Sequence, residues 1–92
     1  MDLTKYQVFL KTVECGSFTA AAQQLSFTQS GVSHAISGLE EELGGQLFDR
    51  LPKGIALTQP GEALLEHARS LLLEAENARL AVKNQREPSG KL

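Results

Sequence analysis

Residues 60 to 83 read PGEALLEHARSLLLEAENARLAVK, and beyond the opening Pro60 and Gly61 the stretch holds no helix breaker. Proline is tolerated in a first helical turn, and Thr58 stands where it can cap one. Leu64, Ala68, Leu71, Ala75, Ala78 and Val82 follow at gaps of 4, 3, 4, 3 and 4, the seam of a coiled coil, with Leu65, Leu72 and Leu73 widening it. At a helical rise of about 1.5 Å per residue the rod is roughly 36 Å long. A chain of 92 residues builds a modest core and cannot cover such a rod. The spacing therefore predicts a homodimer through a long linker helix spanning residues 59 to 86.

The remaining sequence predicts what that rod carries. Leu3, Tyr6, Phe9, Leu10 and Val13 recur at helical spacing after Asp2, a good N-cap, and predict a helix over residues 3 to 14 that Gly16 ends. Ser17 can cap a second, short helix with Phe18, Ala21, Ala22 and Leu25 as its buried stripe. Ser26 and Phe27 make a tight connection, with Phe27 in the core. Thr28 caps a third helix over residues 28 to 43 that seats Val32, Ile36, Leu39 and Leu43 on one face and stops at Gly44 and Gly45. Leu47 to Arg50 and Ile55 to Thr58 are strand-like, and the LPKG between them carries turn formers, which predicts a hairpin. The order is helix, short helix, helix, hairpin, and it predicts a mainly α fold, a winged helix-turn-helix of three helices plus a two-stranded wing. Its expected limits are residues 1 to 58, followed by the linker helix and by a linker or tail at residues 87 to 92.

The third helix is unusual for a surface element, because no Asp, Glu, Lys or Arg occurs from Cys15 to Leu39. With its apolar face turned inward, Ser30, Ser33, His34 and Ser37 point outward and Gln29 sits in the first turn. These are hydrogen-bonding groups without fixed charge, suited to base edges in a major groove. Thr28 in the cap is placed to meet the DNA backbone, and Arg50 and Lys53 flank the hairpin tip, where long cations suit phosphate or a narrowed minor groove. Arg50 could instead pair with Asp49 or a neighbouring Glu. Lys5 and Lys11 read as ordinary solvated charges. Glu40, Glu41 and Glu42 crowd the carboxy-terminal end of the third helix, against its dipole, and are expected where DNA has receded.

Three motifs add a resemblance. GSFTAAAQQLS, TQSGVSHAISGLEEELGGQLFDR and GIALTQPGEALLEHAR, in that order and spacing, resemble the amino-terminal DNA-binding domain and linker helix of LysR-type transcriptional regulators, over residues 2 to about 83. Thr28, Ser30, Gly31 and Pro60 depart from the commoner residues of that pattern, and His34, Ala35, Ser37 and Gly38 occupy positions where the family often places Arg. The resemblance implies sequence-specific binding of double-stranded operator DNA as a dimer, reading an inverted repeat, with Thr19 and Gln23 of the second helix within reach of phosphate. It also implies that a small-molecule effector acts through a further domain that these residues do not include. A winged-helix module that docks a protein is the competing reading, to which the formal charge of −2 lends some support.

Other classes fit poorly. No apolar run approaches the roughly 18 residues of a membrane span, and the cytoplasm is the expected compartment. Cys15 stands alone, so no internal disulfide is expected, and His34 and His67 have no companion at ligand spacing, so neither metal nor cofactor is expected. No nucleophile sits beside a base, and an enzyme is not expected.

Overall fold

A computed structural model describes residues 2–86. Its elements are α1 (Thr4–Cys15), α2 (Phe18–Leu25), α3 (Gln29–Leu43), β1 (Phe48–Leu51), β2 (Gly54–Leu57) and α4 (Gln59–Arg86). This is the mainly α, winged helix-turn-helix architecture with a long final helix that the sequence predicts. The tail expected at residues 87 to 92 lies outside the described residues.

Local chemistry sets each boundary. The Asp2 carboxylate accepts from the Thr4 amide and hydroxyl at 2.9 and 2.6 Å, one position earlier than a regular cap, because Leu3 is the residue flanking α1. Those two bonds hold the Asp2 pKa below the usual carboxylate range. Ser17 Oγ accepts from the Ala20 amide and Thr28 Oγ1 from the Gly31 amide, opening α2 and α3 as their sequences predict. Gly16 and Gly44 close α1 and α3 with φ of 79° and 78°, the left-handed turn that glycine enters without strain.

The core joins Val8 and Phe9 of α1, Phe18, Ala21 and Ala22 of α2, Val32, Ile36 and Leu39 of α3, Leu47, Phe48 and Ala68. Helix α1 lies at the centre, packed on α2, α3 and α4 at once. For that reason its buried stripe is broader than the predicted one. Val8 and Thr12 are fully buried beside Phe9, while Tyr6, Leu10 and Val13 are half-buried at the margin. The Thr12 hydroxyl satisfies itself by donating to the Val8 carbonyl at 2.7 Å.

The hairpin is displaced by one residue from its predicted limits. Its register pairs Phe48 with Leu57 and Leu51 with Gly54, which leaves Pro52 and Lys53 as a two-residue tip. Leu47 is excluded from the ladder because its amide donates to the Glu40 carboxylate at 2.8 Å. Thr58 then fastens wing to linker, its hydroxyl donating to the Gln46 carbonyl while accepting from the Gly61 amide.

Two expected core positions are corrected. Phe27 is 41% exposed, because the link between α2 and α3 is too short to turn a ring inward. Leu43 is 47% exposed, since α3 outruns the core by a turn. A third correction concerns the dimer seam. Ala68 is fully buried in its own chain and Leu64 packs against the same core, so the first turns of α4 are already covered by the helix-turn-helix domain. Leu72 is half-buried, and of the six positions at 4-3-4-3-4 spacing Leu71, Ala75, Ala78 and Val82 are exposed.

Candidate nucleic-acid interface

The first two turns of α3 place Gln29, Ser30, His34 and Ser37 in solvent, as their helical angles require, and leave Ser33 half-buried. Ser33 and Ser37 face an open groove of about 700 Å³ between α3 and β1, whose other side carries Gln46, Phe48 and Arg50. The structure thus brings two of the three candidate base-reading serines and the Arg50 cation to one concavity, while Ser30 lies outside it. Lys53 stands apart at the wing tip.

Arg50 is held in place by an aromatic stack. Its guanidinium carbon lies 4.7 Å above the Phe18 ring, Phe18 meets Phe48 edge-on at 5.9 Å between centroids, and Phe48 tilts against Phe9 at 5.5 Å. A planar, weakly hydrated guanidinium suits the ring face better than an ammonium does. The ion pairs formed among the described residues are Lys5 with Glu42, Lys11 with Glu14, and Arg79 with Glu76. Arg50 therefore keeps its charge free for another anion, and the alternative of pairing with Asp49 does not occur.

The three glutamates divide their roles. Glu40 accepts the Leu47 amide and so anchors the start of the wing. Glu42 receives Lys5 at 2.8 Å, and this hydrogen bond holds the Lys5 pKa above the usual lysine value. Lys5 thus remains solvated but paired, as Lys11 is with Glu14. Its chain crosses Gly38 so closely that a Cβ there would stand 3.2 Å from the Lys5 nitrogen. Of the three, Glu41 alone is uncommitted, and Glu40 and Glu41 both line the groove with Ser33 and Ser37, so these two are not set back from it as the sequence suggests.

Two threonines are more engaged than their sequence positions suggest. Thr28 Oγ1 accepts from the Gly31 amide at 2.9 Å, and its own proton remains free to donate. Thr19 donates to Gln29 Oε1 at 3.2 Å and bridges α2 to α3. The roles of Phe18 under Arg50 and of Glu40 at the wing escape sequence reasoning, because both depend on partners in other elements. The LFDR run carried a usable signal for the first, since it places Arg50 two residues beyond Phe48 on one strand.

Leu73, expected to widen the seam, instead lies about 200° round α4 from Leu71, where it is 63% exposed and shares the opposite side of the helix with Leu80.

Residues 3–62 match the family model described as bacterial regulatory helix-turn-helix protein, lysR family. Among curated relatives, the chain is 42% identical over 84 residues to an HTH-type transcriptional regulator from the ibpB-leuC intergenic region of Azotobacter vinelandii, covering 91% of this chain and 58% of that protein. It is 40% identical over 92 residues to the HTH-type transcriptional regulator GltR of Bacillus subtilis, covering all of this chain and 31% of GltR. The chain thus spans about a third to somewhat over half of these relatives' lengths. Among solved structures, the DNA-binding domain of CbnR in complex with DNA superimposes with a TM-score of 0.89 at 31% identity, covering 95% of this chain and 100% of that one. With that superposition over nearly all of its length and a family match over residues 3–62, the chain belongs to the LysR family of bacterial regulatory helix-turn-helix proteins.

Proposed function

We propose that the chain binds double-stranded DNA sequence-specifically as the DNA-binding part of a bacterial transcriptional regulator, with α3 in the major groove and the wing of residues 47 to 58 beside the minor groove. The observation that carries this reading is the groove itself: neutral hydrogen-bonding residues on α3 face an unpaired Arg50 fixed on Phe18. Gln29, Ser30, Ser33, His34 and Ser37 read base edges, while Thr19, Thr28, Arg50 and Lys53 meet the backbone. The amino-terminal amides of α3 add a favourable dipole for phosphate, which lets the helix dispense with its own cations. The likeness to a domain crystallised on DNA supports the assignment.

Two copies join through Leu71, Ala75, Ala78 and Val82, the exposed remainder of the seam. A dimer of this kind presents two α3 helices to one face of the duplex and reads an inverted repeat. The further length of the relatives leaves room for a domain that takes a small-molecule effector, and operator DNA places the protein in the cytoplasm.

A salt titration of operator binding tests the assignment. Affinity falls with rising salt by a logarithmic slope of about 0.9 per neutralised phosphate. Arg50→Ala is expected to weaken binding to all sequences alike and to flatten that slope by about one. Arg50→Lys keeps the charge but loses the ring contact, and an intermediate affinity with an unchanged slope is expected. Binding that ignores salt in the wild type would instead favour the protein-docking module.

A further inference from the structure

The bond between Thr19 and Gln29 joins the opening turns of α2 and α3, ten residues apart in sequence. Both residues are exposed, so neither is constrained by core packing. Thr19 nevertheless stands on a rigid base. It follows the buried Phe18 in a helix opened by the Ser17 cap, and its β-branched side chain has few rotamers. Gln29 is the opposite case, a long side chain with three rotatable bonds that gives up much freedom when a base fixes it. A partner that fixes it beforehand lowers the cost of binding.

The polarity of the bond biases what Gln29 can read. An amide presents a carbonyl acceptor and two N–H donors. Paired reading of adenine needs the oxygen and the nitrogen side by side, toward N6 and N7. Here the Thr19 proton occupies one lone pair of the Gln29 oxygen, while neither N–H of that amide has a hydrogen-bond partner among the described residues. We propose that Thr19 is a positioning residue that orients the Gln29 amide, so that Gln29 reads a base acceptor, guanine O6 or N7 or thymine O4, in preference to adenine. This rests on the DNA-binding reading given above and replaces the phosphate contact assigned there to Thr19.

The test selects preferred sites from a duplex pool randomised across the protected region, using the wild type and the variants Thr19→Val, Thr19→Ser, Thr19→Ala, Gln29→Ala and Thr19→Val with Gln29→Ala. The wild type is expected to favour guanine or thymine over adenine about tenfold at one position of each half-site. Thr19→Val, with its helical circular dichroism retained, is expected to reduce that preference to about twofold or turn it toward adenine, and Thr19→Ala does the same without a branched side chain. Thr19→Ser restores the hydroxyl and the preference. In the Gln29→Ala background, Thr19→Val adds no change beyond about twofold, because its effect passes through Gln29. The inference is overturned by an unchanged preference in both Thr19→Val and Thr19→Ala. It is overturned equally by a uniform loss of affinity that persists without Gln29, which marks a phosphate contact, or by a wild-type preference for adenine or cytosine there. A wild type that selects no sequence at all would overturn the DNA reading itself.

Discussion

Replacing Gly61 by alanine is expected to destabilise the domain by roughly 3 kcal/mol, at the upper end of what forced overpacking costs. A Cβ at this position would stand 2.2 Å from the Leu47 carbonyl oxygen and 2.7 Å from Leu57 Cδ2. The leucine side chain can rotate, but the carbonyl cannot retreat. Leu47 is fully buried, its amide is held by Glu40, and its carbonyl also accepts from the Thr58 amide at 3.0 Å. Relief must therefore come from α4, which would lift from the wing and draw Ala68 out of the core. Against the roughly 5–15 kcal/mol that holds a typical domain together, the loss is severe. Urea denaturation checks it, with Gly45→Ala as the control. The nearest atom to a Cβ at Gly45 is a Pro60 side-chain carbon at 3.4 Å, so little change is expected there. A Gly61→Ala domain as stable as the wild type would show that the close approach of α4 to the wing is not needed for folding.

The same contact explains which parts of the fold were legible in the sequence. Features written into neighbouring residues could be read directly: the Ser17 and Thr28 caps, the terminating Gly16 and Gly44, and the periodic Val32, Ile36 and Leu39. Features that depend on a distant partner could not. Glu40 looks like a misplaced anion at a helix end until the Leu47 amide is seen beside it, and that contact in turn moves the wing by one residue. Phe27 has a core residue's chemistry but sits in a link with no room to bury it. Ala68 shows the limit of seam spacing most clearly. Period and polarity announce that a face will be buried, yet they do not say whether by the same chain or by a second copy. In the interface, residue types on α3 could be read from helical angle alone. The Phe18 platform under Arg50 and the Thr19 bond to Gln29 needed the fold to bring separate elements together.

Ala78→Asp is expected to separate the dimer and to lower affinity for a two-half-site operator by about 100-fold or more, the gain that linking two binding modules commonly supplies. Ala78 is exposed in the single chain, within the part of the seam not used by the chain's own core. An aspartate there leaves that core intact, so helical circular dichroism and thermal unfolding of the wing domain are expected to stay close to wild type. In a pair, the same aspartate from each copy enters an apolar seam with no cation placed to meet it, and burial of an unpaired charge is costly. Small size matters as well, because Ala75 and Ala78 allow close helix approach and a carboxylate does not. Asn77→Asp is the matched control, adding the same charge about 100° round the helix, away from the seam. Sedimentation equilibrium should report a monomer for Ala78→Asp and a dimer for Asn77→Asp, with footprints that shrink to weak half-site protection only in the former. A dimer that survives Ala78→Asp with full operator protection would move the interface elsewhere, first to the Leu73 and Leu80 face. Because Gly61 and Ala68 fix where α4 leaves the helix-turn-helix domain, the seam also sets the distance between two α3 helices. The close approach of α4 to the wing at Gly61 is thus the contact that would set the spacing of the half-sites.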